Sequence, residues 1–153
     1  MNYVLVLAFG IGIVAGLRSL TAPAVVAWGA HLSWLNLHGS PLAFMESSTA
    51  VAVFSLLAIG ELAADKLPII PKRTAPAPLI ARIITGGLSG ACLCASAAQS
   101  LVVGSVLGGI GGLIGAFLGY GIRKRLDLYT KDIVVAICED VVAVGLAIFL
   151  VLR

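Results

Sequence analysis

Long apolar runs separated by short polar stretches organise this chain, and the lengths of the runs say more than their periodicity. The first covers residues 3–28 and is interrupted at Arg18-Ser19 and at Pro23; a second covers 49–64. Residues 83–122 contain no charged side chain, and a last run covers 133–152. A helix rises about 1.5 Å per residue and a bilayer core is about 30 Å thick, so a spanning helix takes about 20 mainly apolar residues. The uncharged stretch is twice that length and suits two spans joined by a polar hairpin near Gln99-Ser100. The pattern predicts an all-α integral membrane protein forming one domain, with five spans at about 3–28, 49–64, 80–98, 103–122 and 132–152. The first span is expected to be broken near Arg18-Pro23, since proline removes a backbone donor and Ser19 and Thr21 can satisfy freed groups.

Composition agrees. Of 153 residues, 60% are hydrophobic and 11% charged, and the mean hydropathy is +1.11. Soluble domains carry roughly a quarter charged residues, so a water-soluble enzyme is excluded, as is a disordered chain. The net charge of +3 does not point to nucleic acid, because the basic residues cluster between apolar runs. Lys66, Lys72, Arg73 and Arg82 flank the connection between spans two and three, and Arg123, Lys124, Arg125 and Lys131 that between spans four and five. The positive-inside bias makes that side cytoplasmic, which for five spans puts the N-terminus inside and the C-terminus outside an inner membrane. A cleaved signal peptide ending near Ala22-Pro23-Ala24 is disfavoured, because the leading residues lack Lys or Arg and Arg18 interrupts the apolar core. Residues 31–45, with Trp34 and Phe44, read as a short interfacial helix, and residues 67–78, with Pro68, Pro71, Pro76 and Pro78, as an extended, stiff loop.

Small residues suggest how the spans pack. Gly104, Gly108 and Gly112 recur every four residues, as do Gly111, Gly115 and Gly119, Gly86 and Gly90, and Gly12 and Gly16. Such spacing lets helix backbones approach closely in lipid, either within one subunit or between copies in a homo-oligomer. Cys92, Cys94 and Cys138 lie in apolar stretches and read as packing residues. His31 and His38, seven apart without other ligand types nearby, read as interfacial; neither a metal nor a cofactor is expected.

The candidate site consists of charges inside the spans: Arg18, Glu61, Asp65 one turn later, Glu139 and Asp140. Each costs roughly 2.5–3.5 kcal/mol at mid-membrane, so such residues face the bundle interior and pair. Arg18 is expected to bridge Glu61 and the Glu139-Asp140 pair, while Arg82 reads as a snorkelling residue at a helix end. Two short resemblances, Gly16-Leu17-Arg18 to Gly121-Ile122-Arg123 and Ala58-Ile59-Gly60-Glu61 to Ala136-Ile137-Cys138-Glu139, suggest an inverted repeat of spans 1–2 and 4–5. Gly87-Leu88-Ser89-Gly90 has the form found around the serine of rhomboid proteases, but no histidine lies in a span to serve it, and no P-loop or dinucleotide fingerprint is present.

Together the residues Gly16-Leu17-Arg18-Ser19, Glu61-Leu62-Ala63-Ala64-Asp65-Lys66-Leu67-Pro68 and Pro71-Lys72-Arg73-Thr74 carry a resemblance. Arg82 with Gly86 and Gly90, the span-four glycines ending in Arg123, and Glu139-Asp140 extend it over nearly the whole chain. The chain resembles an uncharacterised family of small bacterial multi-pass inner-membrane proteins, a domain of unknown function. That resemblance implies a class and no mechanism. The expected function is a small transporter or channel-like protein, not an enzyme, with the lipid bilayer and a small solute or ion as partners. Arg18 would hold an anionic group while a carboxyl takes up a proton or cation. The alternative is a membrane binding or assembly protein for a lipid, pigment or partner helix, whose charges form a structural latch; a lipid-acting enzyme ranks third.

Overall fold

The computed structural model describes the backbone of residues 2–64, 76–126 and 132–153, with the side chains of 3–64, 76–122, 124–125 and 137–153. Among the described residues the protein is all-helical: α1 (Asn2–Leu17), α2 (Thr21–His31), α3 (Ser48–Ala64), α4 (Pro76–Ser96), α5 (Leu101–Leu126) and α6 (Asp132–Val151). Of the expected interfacial helix over residues 31–45, only His31 is α-helical, as the end of α2; from residue 32 turns lead into a single 3-10 turn at Ala43–Glu46. Among the described residues two helices, α4 and α5 up to Ile122, are long and apolar enough to cross a membrane, while Tyr3–Leu17 and Ser48–Ala64 are apolar but shorter. Pro76 and Pro78, expected in an extended loop, instead open α4, where a missing N–H costs nothing because the first turn has no acceptor for it. Asp65, Lys66, Pro68, Pro71, Lys72, Arg73 and Lys131 lie outside the described residues, as does the side chain of Arg123.

The first apolar run does not form one broken rod. A Cβ on Gly10 would touch Leu150, and one on Gly29 would touch the adjacent Val151. Gly10 lies before Arg18 and Gly29 after it, so α2 folds back along α1 and the two make a hairpin with residues 18–20 at its tip. Trp28 Nε1 donates to Ser55 Oγ while Glu61 reaches Ser19, so α3 runs antiparallel to α2. Gly12 and Gly16 meet Gly108 and Gly112, so α1 and α5 run parallel, whereas α4 is antiparallel to both. One end of the molecule therefore gathers the hairpin tip, the end of α3, the start of α4 and the start of α6; α5 ends beyond it with Lys124 and Arg125. We call it the charged end. The other, aromatic end gathers the start of α1, residues 31–48, the α4–α5 turn and the end of α6.

This path corrects three expectations. The helix break expected near Arg18-Pro23 is present at residues 18–20, but the chain reverses there, so Arg18 sits at a hairpin tip and not inside one broken span. The start of α1 and the end of α6 lie at the same end, not on opposite sides, because the extra reversal adds one crossing to the count. The inverted repeat also fails, since α1 and α5, its proposed counterparts, point the same way.

The centre is a three-helix contact made by glycine. A Cβ on Gly12 would lie 2.2 Å from the Gly108 carbonyl oxygen, one on Gly86 2.5 Å from the same oxygen, and one on Gly16 2.4 Å from that of Gly112. The backbones of α1, α4 and α5 thus touch directly, and the four-residue spacing is used within the chain. Around this centre Ile11, Val14, Val26, Leu37, Met45 and Cys92 are fully buried. The outward faces remain apolar: Leu56 and Ile59 on α3, Val102 and Phe117 on α5, and Val141 and Phe149 on α6 are each more than half exposed.

Candidate charged site at a helix break

The tip of the α1–α2 hairpin leaves two helix ends to be satisfied. At a C-terminus the last carbonyls lack partners and carry partial negative charge; at an N-terminus the first amides carry partial positive charge. Each is met by an opposite charge from another helix. Arg82 of α4 donates from Nη1 to the Gly16 carbonyl in the last turn of α1, at 2.8 Å. Glu61 of α3 accepts at Oε1 from the Ser19 N–H (2.9 Å) and the Ser19 hydroxyl (2.6 Å), and at Oε2 from the Leu20 N–H (2.9 Å). Leu20, the residue before α2, has no side chain able to cap it, so a carboxylate from α3 takes that place. Pro23 lies in the first turn of α2, where its lack of an N–H loses no helical bond; the Ala24 N–H to Leu20 carbonyl bond follows it.

Between these two caps lies Arg18, 1% exposed, whose guanidinium pairs with Asp140 of α6. The side chain of Asp140 keeps 21% of its surface exposed, so the pair is buried on the arginine side and partly open on the other. Glu139 is half-buried, one residue back and therefore turned about 100° around α6. Arg82 lies six residues into α4 and Asp140 eight into α6, which sets the site roughly 9–12 Å below the helix starts. Four helices and the tip thus converge on charge-assisted hydrogen bonds, which are about twice as strong as neutral ones.

Of the residues expected from sequence, Arg18, Asp140 and Glu61 come together here, Glu139 flanks them, and Asp65 lies outside the described residues. Glu61 does so through the backbone beside Arg18. Arg82, read as snorkelling, is 4% exposed and belongs to the site. The signal was available: Arg82, Gly86 and Gly90 recur every four residues, so the arginine shares the face on which the glycines admit α1 and α5. Losing its bond leaves a buried helix-end carbonyl without its cationic donor. Arg82→Met is expected to lower stability by about 1.5–3 kcal/mol and Arg82→Lys by less, measured by thermal unfolding in detergent. Equal, unchanged melting for both variants would remove the capping role.

Compared with known families, residues 5–152 match the model of a domain of unknown function, DUF4126, and the chain belongs to that family. No curated protein and no solved structure matches it.

Proposed function

We propose that this chain is an inner-membrane protein of six helical segments, with the α1–α2 hairpin entering the bilayer and turning back, and that the charged cluster at its tip is the solute or ion site of a small transporter or channel-like protein. The composition and the apolar outer faces of α3, α5 and α6 support the membrane setting. The 16- and 11-residue lengths of α1 and α2 make roughly 24 and 16 Å, short for full spans and suited to a re-entrant pair. The positive-inside bias puts the charged end, with Lys124 and Arg125, in the cytoplasm and both the start of α1 and the end of α6 outside.

One observation carries the reading: a helical hairpin whose tip lies within the bundle, with the end of α1 and the start of α2 facing Arg82 and Glu61 and the Arg18–Asp140 pair beside them. Interrupted helices place partial charges where an ion or charged solute can be held, which is how many transporters build their sites. Arg18 supplies a fixed positive charge, and the carboxyls of Glu61 and Asp140 are the groups able to exchange a proton. The test is proton flux into vesicles loaded with a pH-sensitive dye under an imposed potential, with acetate or chloride as accompanying anion. Glu61→Gln and Arg18→Gln are expected to reduce flux at least about tenfold, about 1.4 kcal/mol in barrier. Unchanged flux in folded variants, or none in the parent protein, rejects transport.

A second reading has its own observation. Three donors already satisfy the Glu61 carboxylate, as a latch that only fixes the hairpin would require. In that case the protein binds or assembles lipid, pigment or a partner helix, and copies of the chain meet through their apolar outer faces.

A further inference from the structure

At the aromatic end, far from the charged site, the start of α1, the chain after α2 and the ends of α4 and α6 enclose a cleft of about 360 Å³. Its walls include Val4, Leu93 and Leu150; Trp34, Ser96 and Arg153 also line it. Arg153 is the only Lys or Arg at this end among the described residues. Its guanidinium lies 5.0 Å from the centroid of the Phe149 ring, a residue next to the lining Leu150 on α6. The Trp34 indole is half exposed, and among the described residues its N–H has no protein acceptor, whereas that of Trp28 donates to Ser55. Ser96 donates its hydroxyl to the Leu93 carbonyl (2.9 Å), so Arg153 and Trp34 are the lining residues with side-chain donors to offer.

A cleft with apolar side chains along part of its wall, and with a guanidinium and an indole among its lining groups, matches a molecule with a hydrocarbon body and an anionic head. We infer that this cleft binds an anionic phospholipid, its phosphate on Arg153 and Trp34 and its upper acyl segment along Val4, Leu93 and Leu150. The inference rests on the membrane reading above. Exposed Leu32, Trp34 and Phe44 put this end at headgroup depth, where the head of such a lipid lies. A free phosphate would use the donors and leave the apolar walls without a role.

The test uses Trp34 as the probe. The chain has two tryptophans, so Trp28→Phe leaves Trp34 alone. The protein is placed in vesicles containing brominated phosphatidylglycerol or brominated phosphatidylcholine, and quenching of Trp34 is compared. About a fivefold preference for phosphatidylglycerol is expected, lost in Arg153→Gln, as one basic residue at an anionic headgroup supplies. Native mass spectrometry of the protein with both tryptophans should show the same selective adduct, lost with Arg153→Gln. Equal quenching and equal adducts in a protein that floats with vesicles overturn the lipid site alone. Failure to float, with no quenching by either lipid, overturns the membrane reading too. Displacement of the preference by millimolar inorganic phosphate overturns the lipid assignment in favour of a free anion.

Discussion

Gly108→Ala is expected to loosen the α1–α4–α5 centre and lower stability by about 1–3 kcal/mol, although alanine is the better helix former by close to 1 kcal/mol. The new Cβ would lie 2.1 Å from the Gly86 carbonyl oxygen and 3.1 Å from the Gly90 Cα. Both neighbours are backbone, so no side chain can swing aside and whole helices must separate. The Gly108 carbonyl oxygen is itself the atom closest to Gly12 and Gly86, so a shift here disturbs both contacts. Close approach matters more in lipid than in water, because hydrophobicity supplies no drive between helices and dispersion between touching backbones must do so. Gly60 and Gly145 provide the opposite case, since a Cβ at either meets nothing within 4 Å. Gly145→Ala is therefore expected to be neutral or to stabilise by up to about 1 kcal/mol. Thermal unfolding of the two variants in one detergent, at roughly 2–4 °C per kcal/mol, checks the contrast. Equal melting of Gly108→Ala and Gly145→Ala would show that the glycines are not packing residues.

These glycines were readable from sequence because a four-residue spacing means one thing on a helix whatever surrounds it. The helical class was readable for a similar reason: runs this apolar leave little else that satisfies their backbone groups. The hairpin was not. Residues 3–28 are as long as one tilted span, and apolarity has the same sign whether the chain continues or doubles back. Pro23 marked a break in the span, but a proline in the first turn of a new helix does not say which way that helix then runs. The relative placement of the two ends depends on that reversal, which brings the start of α1 to the end of the molecule where α6 finishes. Arg82 was misplaced for a different reason. Its distance from the start of α4 looks the same on a lipid-facing and a buried face, and only its register with Gly86 and Gly90 separates them. The roles of Arg18, Glu61 and Asp140 as partners were partly legible from cost alone; that Glu61 would take backbone amides depends on the tip geometry.

Arg18→Met is expected to destabilise the protein by about 3–5 kcal/mol, toward the lower figure, because it leaves the Asp140 carboxylate beside a buried site with its cation gone. The lower end applies since Asp140 retains 21% of its side-chain surface, through which water can reach it. Methionine keeps most of the apolar stem of a side chain that is 1% exposed, so lost packing contributes little and the change reports on charge. Removing both charges, as Arg18→Met with Asp140→Leu, is expected to recover most of that loss, since an apolar pair of similar volume commonly replaces a buried ion pair without penalty. Unfolding in detergent measures all three variants, and a negligible effect of Arg18→Met alone would mean that the pair contributes nothing. The double variant then separates the two functional readings. With the fold restored, the hairpin no longer needs the charges to hold it, so any remaining defect belongs to what the charges handle. Loss of vesicle flux in a stable double variant assigns the pair to transport; flux equal to that of the parent protein assigns it to the latch.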